Sequence, residues 1–230
     1  MPAIQIPPAI LAPFGIQWQA NGGTLKGSSP YSSTDLGTEV DKIVGAAFAQ
    51  FVGGVPVTEP GWMSLGPPEQ DCVEVGPVRI VGGVRPQNYD VGYRPDGCRF
   101  AFDSKTLNNT KSVGKNWNNM INDLATEATT VHSRFPYAVV GFIVLIPTPC
   151  IGGSKLSAMI ETLERLGRRS GVEDPLYQAE AVSLALWDPA TGQIDGSSPD
   201  PSSPIRIERF SEQVQEAYEH RYRGLPPHAV

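Results

Sequence analysis

The feature that most constrains the fold is an unbroken apolar run at residues 137–147, YAVVGFIVLIP, which ends at a proline. Such a run is typical of a central β-strand that is buried on both faces. Helices must then cover both faces of the sheet, because successive side chains of a strand point to opposite sides. We therefore predict an α/β protein with a mixed β-sheet flanked by helices on both faces.

The segments around this run supply the other elements. Strand-like runs rich in β-branched and aromatic residues occur in four more places: residues 73–83, 88–94, 98–105 and 179–188. Helical spacing of apolar residues marks residues 36–52, 115–135, 154–169 and 210–223. The sequence RPDG between the second and third strands is a strong turn signal, so the first three strands are predicted to form a meander.

Composition divides the chain into three parts. Proline and glycine concentrate in residues 1–35, which we expect to be an extended arm with turns, and in a loop at residues 53–70. Residues 191–230 are predicted to be a Pro/Ser-rich tail with a short helix. The remaining segment, residues 36–190, is long enough for one well-buried core and is predicted to be the main domain.

Charge, cysteine usage and hydropathy exclude several classes of protein. The net charge of −6 argues against a general polyanion-binding protein but leaves room for a local basic groove. Three cysteines without a CxxC pair argue against structural zinc and favour a reducing compartment. No apolar run approaches the roughly 18 residues of a membrane span. We expect a cytoplasmic protein without a membrane or nucleotide partner, since P-loop and GxGxxG patterns are absent.

A group of charged residues on the meander points to chemistry. Asp103 and Lys105 lie two residues apart on a predicted strand and therefore share one face. The RPDG turn brings Asp90 onto that face, opposite Asp103 or one step along, at about 5 Å. Two carboxylates so close repel each other and attract a divalent cation, and oxygen ligands favour Mg²⁺ or Mn²⁺. A metal held there would suit phosphodiester hydrolysis, with the Lys105 ammonium orienting water or holding phosphate.

Asp90, followed thirteen residues later by Asp103-Ser104-Lys105, resembles the D…(D/E)xK signature of the PD-(D/E)xK nuclease superfamily. The predicted order of elements over about residues 36–147 is also similar to that family's core: helix, three-strand meander, helix, strand. The resemblance implies that Asp90 and Asp103 bind Mg²⁺ and that Lys105 assists the attacking water. It also implies that a helix glutamate, here Glu39, joins the metal shell, although an acid is favoured in the first turn of any helix.

The sequence departs from the family pattern at the literal Pro95-Asp96 pair. That pair precedes Asp103 by only seven residues, so we assign it to the hairpin turn. Asp90 follows Tyr89 rather than proline, and the acid of the third strand is aspartate rather than the commoner glutamate. A local turn contact for Asp90, and a solvated edge pair for Asp103 and Lys105, remain alternative interpretations.

The segment after this strand is rich in amides and amines, which suit phosphate contacts and the base edges of adenine. A polar loop and a helix cap would use the same residue types. We expect DNA contacts from Asn108, Asn109, Lys111, Lys115, Asn116 and Asn119.

Chain size and the lack of an ATPase module make the resemblance closest to type II restriction endonucleases. This implies a Mg²⁺-dependent enzyme that cleaves double-stranded DNA as a homodimer, since a two-fold protein matches a palindromic site. A structure-specific repair or phage-associated nuclease is one alternative. A non-catalytic protein-interaction module is the other.

Overall fold

The computed structural model describes residues 1–26 and 30–225. Its centre is one mixed sheet whose six strands follow one another in chain order. The strands are β1 (Val57–Thr58), β2 (Val73–Val81), β3 (Pro86–Tyr93), β4 (Phe100–Thr106), β5 (Val139–Pro147) and β6 (Ala181–Trp187). The α-helices of the described residues are α1 (Pro8–Ala20), α2 (Ser33–Phe51), α3 (Val113–His132), α4 (Gly153–Leu166) and α5 (Ile207–Tyr222). The predicted α/β class is therefore confirmed.

Strand β5 is the centre of the core, as its apolar run predicts. All nine of its residues are buried, and it pairs in parallel with β4 on one side and β6 on the other. Because the three strands run in the same direction, the chain leaves β4 and β5 at the same edge of the sheet. We call this the carboxyl edge.

Helices cover both faces of the sheet. On one face, Phe48 of α2 stacks on Phe100 with ring centroids 4.1 Å apart, and Phe210 of α5 meets Phe102 edge-on at 5.7 Å. Helices α3 and α4 cover the opposite face. Burying each such phenylalanine contributes about 1.5–3 kcal/mol, so these contacts fix the helices against β4.

The N-terminal arm is not extended as predicted. Residues 8–20 form α1, which buries Leu11, Phe14 and Trp18 at helical spacing. Pro8 occupies the first turn, where its missing N–H costs nothing, and packing of this apolar stripe outweighs the penalty of Pro13 inside the helix. Residues 27–29 of the predicted arm and 226–230 of the predicted tail lie outside the described residues.

The loop predicted before β2 also differs from the prediction. The predicted Pro/Gly loop at 53–70 contains the short strand β1, which extends the sheet beside β2 in parallel.

Within the described part of the chain, no helix combines the length and apolarity needed to cross a bilayer.

Candidate functional site

The site lies where β3 and β4 separate. Their ladder consists of three pairs and ends at Val91 opposite Phe102, so Asp90 and Asp103 come next on the two strands. Instead of continuing the ladder, Asp90 Oδ2 accepts hydrogen bonds from the Ser104 backbone N–H at 2.9 Å and its hydroxyl at 3.3 Å. The Asp90 carboxylate therefore sits in the gap between the strands.

An irregularity on the other side of β3 accompanies this separation. The register of β2 against β3 shifts between Val75 and Val78, which pair with Val91 and Tyr89. Asp90 is the β3 residue opposite this shift. Bulges re-aim side chains and occur frequently beside active sites, so the shift explains why Asp90 points into the gap.

Strand β4 presents its charged residues to α3. Asp103 and Lys105 share one face, as their spacing predicts, and the Lys105 ammonium bonds to the Asp103 carboxylate. The same ammonium donates to Glu127 Oε1 of α3 at 2.9 Å. Lys105 therefore bridges a strand carboxylate and a helix carboxylate, both of which are almost fully buried.

The predicted helix ligand, Glu39, does not reach this site. Its carboxylate is exposed and pairs with Lys42 at 2.8 Å. Asp41 is the α2 carboxylate that faces the sheet, and it is only 7% exposed. Residues two apart on a helix lie about 200° apart around its axis, so Glu39 and Asp41 must face opposite ways.

Two glycines mark the side of α2 that lies on the sheet. A Cβ at Gly37 would lie 3.0 Å from Ser104 Oγ and 4.0 Å from Asp41 Oδ2, and one at Gly45 would lie 2.3 Å from Val75 Cγ2. Both glycines are four residues from Asp41 and therefore share its face. This GxxxDxxxG stripe is the signal in the sequence that identifies Asp41.

Burial, together with neighbouring carboxylates, raises the pKa of all three aspartates. Burial raises the pKa of Asp41 to about 8, with the charge of Asp90 adding to the shift. Burial also raises the pKa of Asp90 to about 8, helped by its hydrogen bond to Asp103. The pKa of Asp103 rises to about 6, because burial and the charge of Glu127 outweigh the stabilising contacts from Asp90 and Lys105.

Lys105 remains an ammonium in this environment. Burial lowers its pKa, but the charges of Asp103 and Glu127 more than offset that effect and leave the pKa above its usual value. Its role is therefore that of a cation and hydrogen-bond donor. A lysine with a raised pKa does not remove protons from water at neutral pH.

The donor set of the site fits a hard divalent cation. Asp41 Oδ1 and Glu127 Oε2 are buried without a hydrogen-bond partner among the described residues. Carboxylate oxygens are the ligands that Mg²⁺ prefers, and a cation would offset the burial and the carboxylate repulsion that raise the pKa values of Asp41 and Asp90. Within residues 1–26 and 30–225, no three His, Cys, Asp or Glu side chains are already grouped closely enough to hold an ion.

Glu127 is a carboxylate of this site that our sequence interpretation did not name. It lies on the buried stripe of α3, between Leu124 and Val131. An acid in the middle of an apolar stripe is costly unless it has a buried partner, and Lys105 is that partner. This placement was visible in the helical pattern of the sequence.

The predicted DNA-contacting residues separate into two groups. Asn108 is buried, accepts the Leu25 N–H at 2.9 Å and donates to the Ser33 hydroxyl, so it ties loops together and is not free to contact DNA. Asn109 Oδ1 accepts the Lys111 N–H at 2.9 Å within its own turn. The others are exposed on the carboxyl edge: Lys111, Lys115, Asn116 and Asn119.

Comparisons with protein-family models, with curated proteins and with solved structures find no match to this chain. The interpretation of the site therefore depends on its geometry and chemistry.

Proposed function

We propose that the protein is a Mg²⁺-dependent DNA endonuclease of the PD-(D/E)xK type, most like a type II restriction endonuclease. The observation that carries this proposal is the group formed by Asp90, Asp103 and Lys105 where β3 separates from β4. Asp41 from α2 adds a buried carboxylate to the same group.

The order of elements supports the proposal. Helix α2, the meander β2–β3–β4, helix α3 and strand β5 follow one another as in that family's core. The separation of β3 from β4 leaves the acidic group next to the carboxyl edge, where a phosphodiester can approach.

The proposed reaction is hydrolysis of a phosphodiester in double-stranded DNA. The oxygen of a water molecule forms a new bond to phosphorus, one ester P–O bond breaks, and the leaving oxygen takes up a proton. A bound Mg²⁺ would offset the charge that develops on the phosphoryl oxygens and lower the pKa of the attacking water.

The chain's own residues have distinct tasks in this reaction. The Asp90 and Asp103 carboxylates, with Asp41, provide the oxygen ligands. The Lys105 ammonium donates a hydrogen bond to the phosphate or to the attacking water. Glu127 would keep Lys105 in position if the Asp103 carboxylate bound Mg²⁺.

A homodimer is part of the proposal. The two strands of a palindromic site are related by a two-fold axis, and a symmetric dimer supplies two catalytic groups with the same symmetry. Gel filtration with light scattering, with and without DNA, tests this part separately from cleavage.

Plasmid cleavage tests the proposal. We expect Mg²⁺ to support cleavage, EDTA to abolish it, and Asp103→Asn and Lys105→Ala each to reduce it at least 100-fold, the order of magnitude expected for loss of a transition-state contact. Discrete fragments would support a restriction enzyme, whereas nicking or smearing would favour a structure-specific nuclease. Cleavage by both variants at the parental rate, or no cleavage with any divalent cation, would refute the proposal.

A further inference from the structure

The lysines of this acidic protein are unevenly distributed. The chain has 24 acidic and 18 basic residues, yet segments 104–122 and 142–160 contain four of its six lysines and no Asp or Glu. These segments include the ends of β4 and β5 and the starts of α3 and α4. The sequence therefore concentrates unopposed positive charge in two separate stretches.

The fold brings these two stretches together. Thr106 at the end of β4 lies opposite Leu145 of β5, so both segments leave the sheet at the carboxyl edge. Lys155 of α4 extends over the first turn of α3, where a Cβ at Gly114 would lie 3.0 Å from its Nζ. Helix α3 begins beside Lys111 and carries Lys115 in that same first turn.

A third segment adds one more lysine. The Thr110 N–H donates to the Gly23 carbonyl at 3.1 Å. The Leu25 N–H donates to Asn108 Oδ1. These contacts fasten residues 23–25, which lead to Lys26, against the segment following β4. We call Lys26, Lys111, Lys115 and Lys155 the lysine rim.

The charges of the lysine rim are uncompensated. All four side chains are exposed, and none of them forms an ion pair with a carboxylate of the described residues. The other two lysines of the chain are paired, Lys42 with Glu39 and Lys105 with Asp103 and Glu127. The lysines of the described chain that lack an ion pair are therefore the four of the lysine rim.

We propose that the lysine rim binds the phosphate backbone of the nucleic acid strand that enters the candidate site, an inference that rests on the proposed function. Lys111 and Lys115 of the rim follow Lys105 closely in the chain, and Asn116 and Asn119, which come after Lys115 on α3, are exposed. The N–H groups of such amides donate hydrogen bonds to phosphates, and the amide both donates to and accepts from base edges.

The composition of the rim favours nucleic acid over an acidic protein. Protein–protein interfaces are enriched in aromatic and other large apolar residues and depleted in lysine. None of the exposed large hydrophobic residues of the described chain falls in segments 104–122 or 142–160. The rim thus offers charge and amides without an apolar anchor.

The proposal predicts a definite salt dependence. Four lysine–phosphate contacts give a slope of log K against log salt of about −3.6, or about a 150-fold loss of affinity for a four-fold rise in salt. The test is fluorescence anisotropy of a short labelled DNA duplex with the full chain in EDTA, so that no cleavage occurs. We expect Lys115→Ala combined with Lys155→Ala to reduce the magnitude of the slope by about 1.8.

Lys42→Ala is the matched control, because Lys42 is also exposed but lies on α2, across the sheet from α3. We expect its slope to equal that of the parent. A double variant whose slope and affinity match those of Lys42→Ala would overturn the proposal. So would parental protein that binds polyglutamate as tightly as the duplex, because the partner would then be an acidic protein.

Failure of this inference and failure of the proposed function give different results. If the duplex binds through the rim but no divalent cation supports cleavage, the rim assignment is supported and the endonuclease proposal is refuted. If Mg²⁺-dependent cleavage occurs but the double variant binds like the parent, the endonuclease stands and the rim assignment is wrong.

Discussion

Replacing Asp41 with asparagine is expected to stabilise the metal-free protein while abolishing DNA cleavage. Asp41 is buried, and its pKa is about 8 instead of the ordinary 3.8. The folded state therefore holds a proton that the unfolded chain releases. The stability that this proton provides is complete below pH 3.8 and is lost progressively as the pH rises to about 8. Asparagine is uncharged at every pH, so the Asp41→Asn variant does not lose this stability as the pH rises.

The magnitude follows from the linkage between proton binding and folding. If the whole pKa shift of Asp41 acted on stability, the free energy of unfolding would be about 5 kcal/mol lower near pH 7.5 than below the ordinary pKa. This follows from about 1.4 kcal/mol for each unit of pKa. Rearrangement of the site and entry of water make the real loss of stability smaller than this. We therefore expect Asp41→Asn to raise the free energy of unfolding by about 2 kcal/mol. For a chain of this size that gain raises Tm by about 4–8 °C.

Urea unfolding in EDTA, followed by tryptophan fluorescence near pH 7.5 and near pH 5, measures this gain. The gain should shrink at the lower pH, and Glu39→Gln on the exposed side of the same helix should change stability by less than about 0.5 kcal/mol. A destabilised Asp41→Asn variant, or a gain that does not depend on pH, would show that folding does not raise the pKa of Asp41.

Three further outcomes are expected. Glu127→Gln keeps an acceptor for Lys105 and should cleave DNA faster than Glu127→Ala, which should lose about 10–100-fold in rate, the usual effect of removing a group that orients an active-site residue. Asn108→Ala should lower the free energy of unfolding in urea by about 2–3 kcal/mol, because it leaves the buried Leu25 N–H unpaired. Gly45→Ala should cost about 1–3 kcal/mol in the same assay, because its methyl group would overlap Val75 Cγ2. Equal rates for the two Glu127 variants, or parental stability of either other variant, would contradict the contact on which that prediction is based.

The strands and most helices were predictable because their patterns are local and strong. The run at 137–147 identifies the central strand, since only a strand covered on both faces tolerates so many consecutive apolar residues. The RPDG turn likewise identifies the β3–β4 hairpin and places Asp90 close to Asp103. Helix α1 was missed because proline at residue 13 obscures its apolar stripe, and only packing against the rest of the core reveals that stripe.

The candidate site was only partly predictable, because some of its geometry depends on long-range contacts. The sequence places Glu39 and Asp41 on one helix, but which of them faces the sheet depends on the rotation of α2 about its axis. The glycines at 37 and 45 fix that rotation. The role of Asn108 depends on a partner 83 residues away in the chain, and no local pattern identifies such a partner.

The sequence pattern also could not predict the irregularity of β3 at Asp90. Regular alternation predicts that Asp90 continues the ladder opposite Asp103. The register shift of β2 and the hydrogen bonds from Ser104 instead place its carboxylate between the strands. That displacement brings Asp90 close to Asp41 of α2 as well as to Asp103.

The most direct test of the central claim is the rate of Mg²⁺-dependent plasmid cleavage by two neutralising variants of the same helix. If Asp41 belongs to a metal-binding catalytic group, Asp41→Asn should lose cleavage while Glu39→Gln retains the parental rate. Parental cleavage by Asp41→Asn, or equal loss in both variants, would contradict the account.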